Sequence, residues 1–367
     1  MGGNMVQSPH EAQRLERDAQ RLEQPVAASA AQVAEFDQDR SLRHRVQHRL
    51  HMTPSLVPLF VVVASIAGFG LLVGPGFFSA FALTLILKQV AVTGIVGAAE
   101  ALVILTAGIE LSVGAIMVIC SVIMGQFVFA YGLPAPVAVL GGLGIGALIG
   151  FINGTLVARA KLPPFIVTLG MWQIVLAANY LYSGNQTIGS DQIDARAPLL
   201  NFFGGQIQIG GAILTYGALT MIALVLLLAY VLRHTAWGRH VYAVGDDPDA
   251  AELAGVKVGR VLVSVYTLAG LICALAGWVL IGRVGAISPN SGQFENINAI
   301  TATVIGGISL FGGRGSILGM MFGALIVGVF TLGLNMYGTD PQWTYLLIGL
   351  LIILAVAVDQ WIRKVSA

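Results

Sequence analysis

From Leu56 onward the chain alternates long apolar runs with short polar breaks, and within each run the apolar residues cover every face of a helix rather than one stripe. Helices that are apolar all round are solvated by lipid or by other helices. A hydrocarbon core of roughly 30 Å takes about 20 helical residues to cross, and the runs have about that length. They predict ten crossings, at 56–73, 77–107, 111–131, 135–158, 165–182, 213–232, 261–281, 299–311, 317–336 and 343–358. The fold class that follows is an all-α integral membrane protein. The second run is too long for one straight helix and carries Lys88, Gln89 and Glu100. It is expected to be broken, with those polar groups facing protein or a water-filled cavity.

Basic residues set the direction of the crossings, because they concentrate in the cytoplasmic loops of a membrane protein. Arg40, Arg43, Arg45 and Arg49 precede the first run, Arg159 and Lys161 follow the fourth, and Arg233, Arg239, Lys257 and Arg260 follow the sixth. Arg314 follows the eighth, and Arg363 and Lys364 lie beyond the tenth. With ten crossings all of these share one side, and the other side receives only Arg196 and Arg283. Both termini are therefore expected in the cytoplasm.

The chain also repeats itself. A shift of 177 positions lays Gly142, Gly146, Ala147, Leu148, Ile149 and Pro164 over Gly319, Gly323, Ala324, Leu325, Ile326 and Pro341. The fourth and ninth crossings run in opposite directions, so this reads as an inverted repeat, a device of transporters that alternate between two faces. Chance similarity between two Gly/Ala-rich helices is the plainer alternative. Gly142, Gly146, Gly150 and Gly154 fall on one stripe of the fourth run, where they would let another helix backbone approach closely.

Composition agrees with the patterning. Of all residues 56% are hydrophobic and 10% charged, against about 25% charged in a soluble domain. The chain divides at 52/53, since 14 of the 37 charged residues fall in the first 50 positions. Residues 1–52 read as a cytoplasmic tail, with a charged helix-compatible stretch at 10–24, an Ala-rich stretch at 25–39 and a short amphipathic helix at 41–51 lying on the membrane surface. The polar tail does not read as a cleaved secretion signal. His44, His48 and His51 make a solvated basic face rather than a metal site. A net charge of +1 is not the footprint of a nucleic-acid binder. Cys120 and Cys273 sit in apolar runs without a partner at motif spacing and read as small buried hydrophobes.

Enzyme motifs are missing from the sequence. There is no GxxxxGK[ST], HExxH, GxSxG or CxxC, and the Gly312-Gly-Arg-Gly-Ser316 turn lacks the lysine and spacing of a phosphate-binding loop. The most informative segment is the polar loop at 233–260. Its centre predicts a short helix, with Asp247 or Asp249 as N-cap, Pro248 in the first turn, Ala250 to Ala254 as helix formers and Gly255 as the stop. Such a helix is either an ordinary surface element or a piece that docks in a cleft of another protein.

That loop, with Thr106-Ala-Gly-Ile-Glu-Leu-Ser-Val-Gly-Ala115, Asn153-Gly154, Leu162-Pro-Pro-Phe-Ile-Val-Thr-Leu-Gly170 and Ile305-Gly-Gly-Ile-Ser-Leu-Phe-Gly-Gly-Arg-Gly-Ser316, resembles the permease subunit of bacterial ABC importers for monosaccharides. The resemblance covers the chain from Thr53 onward. Within the family, Thr235 to Pro248 and Gln360 to Val365 are similar to the fructose-importing subgroup, and ribose or a related sugar is the alternative cargo. The resemblance implies a homodimer in the inner membrane, two ATP-binding cassette subunits beneath it and a periplasmic sugar-binding protein above. It implies ATP and magnesium in the partner subunit and no cofactor on this chain. It also implies that Asp249, Ala250, Ala251, Glu252, Leu253, Ala254 and Gly255 touch the ATPase. Two departures stand out: Glu110 occupies a position where the family usually has Asp, and Asn296 and Asn298 lie where an acidic pair is common.

A neutral polyol asks for amide and hydroxyl partners beside a flat apolar face rather than for fixed charge. The polar groups placed to line its path are Gln89, Glu100, Glu110, Asn153, Gln173, Asn179, Asn296 and Asn298, with Trp172 as a ring platform. Each could instead bond a neighbouring helix. Lys88 is expected to pair with Glu100 or Glu110, or to reach an interface. Two rival functions remain at this point, a branched-chain amino-acid ABC permease and an ion-coupled secondary transporter.

Overall fold

The computed structural model describes residues 56–209 and 211–366. The expectations for the tail, namely the stretches at 10–24 and 25–39, the amphipathic helix at 41–51 and its histidines, lie outside the described residues. Helix α1 is Leu56–Val73 and is followed by a 3-10 turn, Pro75–Phe78. Helices α2 (Ala80–Leu105), α3 (Val113–Phe129), α4 (Ala135–Ala158) and α5 (Pro164–Ser183) come next. A short α6 (Ser190–Arg196) and the 3-10 turn Pro198–Gly204 lead into a hairpin, β1 (Gln206–Ile209) with β2 (Ala212–Thr215). The strands are antiparallel, with Gln206 opposite Thr215. The chain continues as α7 (Tyr216–His234), α8 (Ala236–Asp246), α9 (Pro248–Leu253), α10 (Val258–Val284), α11 (Glu295–Ile305), α12 (Ile317–Tyr337) and α13 (Pro341–Ser366). Among the described residues the fold is all-α apart from that one small hairpin and an isolated bridge between Ile188 and Ile287.

Among the described residues seven helices, α1, α2, α4, α5, α7, α10 and α12, are long and apolar enough to cross a membrane; α3 and the 342–357 part of α13 are shorter apolar helices. The run at 299–311 is helical only as far as Ile305. At 11 residues α11 is about 16 Å long, half of a hydrocarbon core.

The second run, 77–107, is interrupted near its two ends, at Ser79 and after Leu105, and not at Lys88, Gln89 or Glu100. Ala80–Leu105 is one α-helix of 26 residues, about 39 Å long, and a helix longer than the core tilts within it. It contains no proline, and Gln89, Thr93 and one Glu100 oxygen are met from the sides by Arg283, Glu295 and the Glu110 amide, so the backbone ladder has no reason to open. The later interruption comes just after it, where Thr106 Oγ1 donates to the Val103 carbonyl at 2.8 Å and Ala107 adopts φ +60°, a conformation costly for a residue with a Cβ.

The core lies between α2 and α10. Every α2 residue from Val90 to Leu105 is buried, and α10 packs against α2, α3 and, most extensively, α4. Large side chains such as Phe60, Leu71, Leu181, Tyr230 and Ile353 point outward, where lipid solvates them. The glycine stripe of α4 faces α10. A Cβ at Gly150 would strike the Tyr266 carbonyl, and one at Gly270 would strike the Gly146 carbonyl. The stripe thus packs two helices of one chain. Cys120 and Cys273 are buried free thiols.

Candidate functional site

A cavity of about 280 Å³ opens between the start of α3, one face of α5 and the segment that connects α10 to α11. Trp172, Leu176, Asn179 and Tyr180 line it from α5, at helical spacing, so they share a face. Gly114, Ala115 and Val118 form the α3 wall, and Pro289, Ser291, Gly292, Gln293, Phe294 and Asn296 complete it. No lining residue is Asp, Glu, Lys or Arg. The Asn179 amide donates to the Pro289 carbonyl at 2.9 Å, which fixes its orientation and leaves Oδ1 without a partner. Asn296 Oδ1 is likewise unpartnered, and the two residues are 1% and 6% exposed. An unpaired buried oxygen is costly, and these two sit on a cavity wall beside an indole ring. The arrangement accepts hydrogen bonds from hydroxyl groups and offers nothing to neutralise a carboxylate or an ammonium.

Beside the cavity, Arg283 at the end of α10 reaches both neighbouring elements. One of its nitrogens donates to Gln89 Oε1 at 2.5 Å, and the other lies 3.6 Å from Glu295 Oε1. Thr93 Oγ1 donates to the second Glu295 oxygen at 2.9 Å. Gln89 is thus turned to Arg283 and not to the cavity. Arg283–Glu295 is the one ion pair among the described residues. The expected pairing of Lys88 with Glu100 or Glu110 is not formed: twelve helical residues set Lys88 about 18 Å from Glu100 along α2.

Glu100, Glu110 and Asn153 form a separate buried cluster. The Glu110 amide donates to Glu100 Oε1 at 3.4 Å, and the Glu110 carboxylate accepts from Ser112 N at 2.8 Å, from the Ser112 hydroxyl and from Asn153 Nδ2 at 2.8 Å. None of the three lines the cavity. Gln173 is exposed and Asn298 half-buried, and both lie outside the lining as well. Of nine candidate pathway residues, the fold gathers Trp172, Asn179 and Asn296. Tyr180, Ser291, Gln293 and Phe294 were missed. Tyr180 shared its helical face with Trp172 and could have been found from that, whereas 289–294 is irregular and has no periodicity to read.

At the other end of α2 lies the segment 235–256. Thr235 caps α8 through Gly238 N at 3.1 Å, and Asp247 caps α9 through Asp249 N and Ala250 N at 3.0 and 2.9 Å. Gly255 ends the turn at φ +85°, as a stop residue should. Asp249, Ala250, Glu252, Leu253, Ala254 and Gly255 are exposed and Ala251 is buried; Leu253 is 91% exposed. Behind this rim α8 presses on two turns. The Gly313 amide donates to the Leu105 carbonyl at 3.0 Å, and a Cβ at Gly245 would strike that same carbonyl. The Tyr242 hydroxyl donates to the Gly315 carbonyl at 3.0 Å, and Trp237 Nε1 donates to Ser264 Oγ on α10 at 2.8 Å. Burial pushes the Tyr242 hydroxyl above the usual phenol range.

Long apolar helices around a buried polar core, a neutral cavity and a capped polar segment at one end define a multi-pass membrane permease. The chain belongs to the family described as branched-chain amino acid transport system / permease component, which matches residues 82–356. It is 67% identical over 350 residues to the fructose import permease protein of Rhizobium meliloti, covering 95% of this chain and 97% of that relative. It is 34% identical over 306 residues to the ribose import permease protein of Escherichia coli, covering 83% and 92%, and 32% identical over 319 residues to the galactose/methyl galactoside import permease protein of Haemophilus influenzae, covering 82% and 93%. No solved structure matches the chain.

Proposed function

We propose that this chain is the membrane subunit of an ATP-driven importer of a neutral monosaccharide, with fructose as the cargo. The observation that carries the reading is the cavity lined by Trp172, Asn179 and Asn296, with two unpaired amide oxygens and no charged side chain. A sugar hydroxyl donates to such oxygens, and a ring face lies against the indole. An amino-acid zwitterion would lose the hydration of both its charges there and gain no counter-charge. This disfavours a branched-chain amino acid in spite of the family's description, and the 67% identity to a fructose permease favours the sugar.

The assembly follows the same reading. The chain crosses the inner membrane ten times in two inverted halves, with α3, α11 together with the segment after it, and the 342–357 part of α13 as the shorter crossings and both termini in the cytoplasm. Two copies pair, a periplasmic sugar-binding protein delivers the cargo, and ATP is hydrolysed in a separate cassette subunit. The segment Asp249 to Gly255 meets that subunit, supported by the exposure of all its residues but Ala251 and by the uncovered Leu253 side chain. The test is ATP hydrolysis in liposomes holding this chain and its ATPase, with the binding protein loaded with fructose, ribose or leucine. Stimulation by fructose supports the reading, by ribose shifts the cargo, and by leucine alone overturns it. Uptake that persists without any ATPase would support an ion-coupled carrier instead.

A further inference from the structure

Asn296 on the cavity wall belongs to the first turn of α11, and the last turn of the same helix runs into the glycine-rich segment 306–316. A helix of 11 residues is a rod about 16 Å long, so the cavity and this segment are its two ends. The cavity end is held by Glu295, through Arg283 of α10 at 3.6 Å and Thr93 of α2 at 2.9 Å. The other end is folded on itself, with the Ser309 amide donating to the Arg314 carbonyl at 3.0 Å. The bonds that hold it from outside include Gly313 N to the Leu105 carbonyl and the Tyr242 hydroxyl to the Gly315 carbonyl, each 3.0 Å, and the last turn of α11 also lies against α12, where a Cβ at Gly323 would strike the Ala302 carbonyl. Tyr242 belongs to α8, in the segment 235–256 that carries the exposed Leu253 at its far end.

Trp237, one turn earlier on α8, donates to Ser264 of α10. α8 is therefore tied to α10 by one side chain and to the segment following α11 by another, so it spans the gap between them. A shift of α8 away from α10 stretches the Trp237 bond, and it either stretches the Tyr242 bond as well or pulls the segment after α11 with it.

We propose that Tyr242 is a positioning residue that fastens the segment between α11 and α12 to α8, and through that segment and the rigid α11 helps hold Asn296 in the cavity wall. Its role in transport rests on the reading of 235–256 as the ATPase-facing segment; its mechanical role does not. The tie is one directed hydrogen bond from a ring that is otherwise packed, so Tyr242→Phe removes the bond and keeps the ring.

The deciding experiment is residue-resolved amide hydrogen exchange on the full chain in detergent, wild type against Tyr242→Phe. Loss of one hydrogen bond is expected to speed exchange across 306–316 about three- to ten-fold. The Glu295 and Asn298 amides, bonded to the Gly292 and Phe294 carbonyls, are expected to speed up with them. Acceleration confined to 306–316, or none anywhere, overturns the proposal. In liposomes with the ATPase and fructose-loaded binding protein, sugar carried per ATP is expected to fall several-fold in the variant, whereas a merely structural defect would lower uptake and hydrolysis in proportion. If wild-type protein hydrolyses ATP without moving fructose, the sugar reading fails and the exchange experiment still decides the role of Tyr242.

Discussion

The Asn153 side-chain amide of α4 donates to the Glu110 carboxylate at 2.8 Å, across the interface between α4 and the turn that precedes α3. Glu110 is 2% exposed and Asn153 fully buried, and Ser112 supplies the remaining donors. One buried carboxylate thus collects its hydrogen bonds from two parts of the chain. Asn153→Leu keeps the size of the side chain and removes the donor, which leaves a buried acceptor short of a partner. The expected loss is about 2–3 kcal/mol of stability, read as a lower thermal midpoint in detergent. An unchanged midpoint would mean that the bond carries no weight.

At Gly270 the backbones of α4 and α10 meet. Gly270→Ala would press a methyl group into the Gly146 carbonyl and should cost about 1–3 kcal/mol. Gly144, on the same helix α4, has open space where its Cβ would stand, so Gly144→Ala should lie within about 0.5 kcal/mol of wild type. Equal effects of the two substitutions in a thermal melt would refute the close approach.

Leu253 is 91% exposed beside the capped turn of α9. Leu253→Glu removes no packing within the chain, so the melting profile should stay within about 0.5 kcal/mol of wild type. Co-purification of the ATPase subunit with this chain should drop. Undiminished capture would separate this rim from the ATPase contact.

The Tyr242 hydroxyl, raised by burial, makes a pH prediction. A phenol with a higher value folded than unfolded contributes stability below its unfolded value of about 10, and that contribution is lost as pH climbs toward the folded value. The stability gap between wild type and Tyr242→Phe should therefore be constant from pH 7 to 9 and shrink above about 10. A gap that widens with alkalinity would contradict the buried setting.

The sequence reads most clearly where the environment is uniform. Lipid asks only for apolar length, so the limits of α1 and α4 matched the apolar runs residue for residue. Asp247 acts through a side-chain cap on the adjoining turn and Pro248 and Gly255 through their own backbone, all of them local, and the short helix between them is the one the sequence predicts. The length of the second run shows that it cannot be one helix, but its polar residues do not mark the break, because Arg283 and Glu295, both about 190 or more positions further along the chain, supply partners for Gln89 and Thr93. The cavity was legible in Trp172, Asn179 and Asn296 but not in Ser291 or Gln293, which reach it on an irregular segment positioned by tertiary contacts. The α8 bonds to Ser264 and Gly315 left no local signature at all.

The backbone contact of α4 with α10 has one more consequence. Gly146 and Gly150 touch Gly270 and Tyr266 with no side chain between them, so no rotamer can flex to absorb a displacement. The two helices are a single stiff strut, and it bears Arg283 near one end and Ser264 near the other. Both are bonded to shorter helices, Glu295 on α11 and Trp237 on α8. The strut thus supplies the fixed frame to which both short helices are fastened, one at each of its ends.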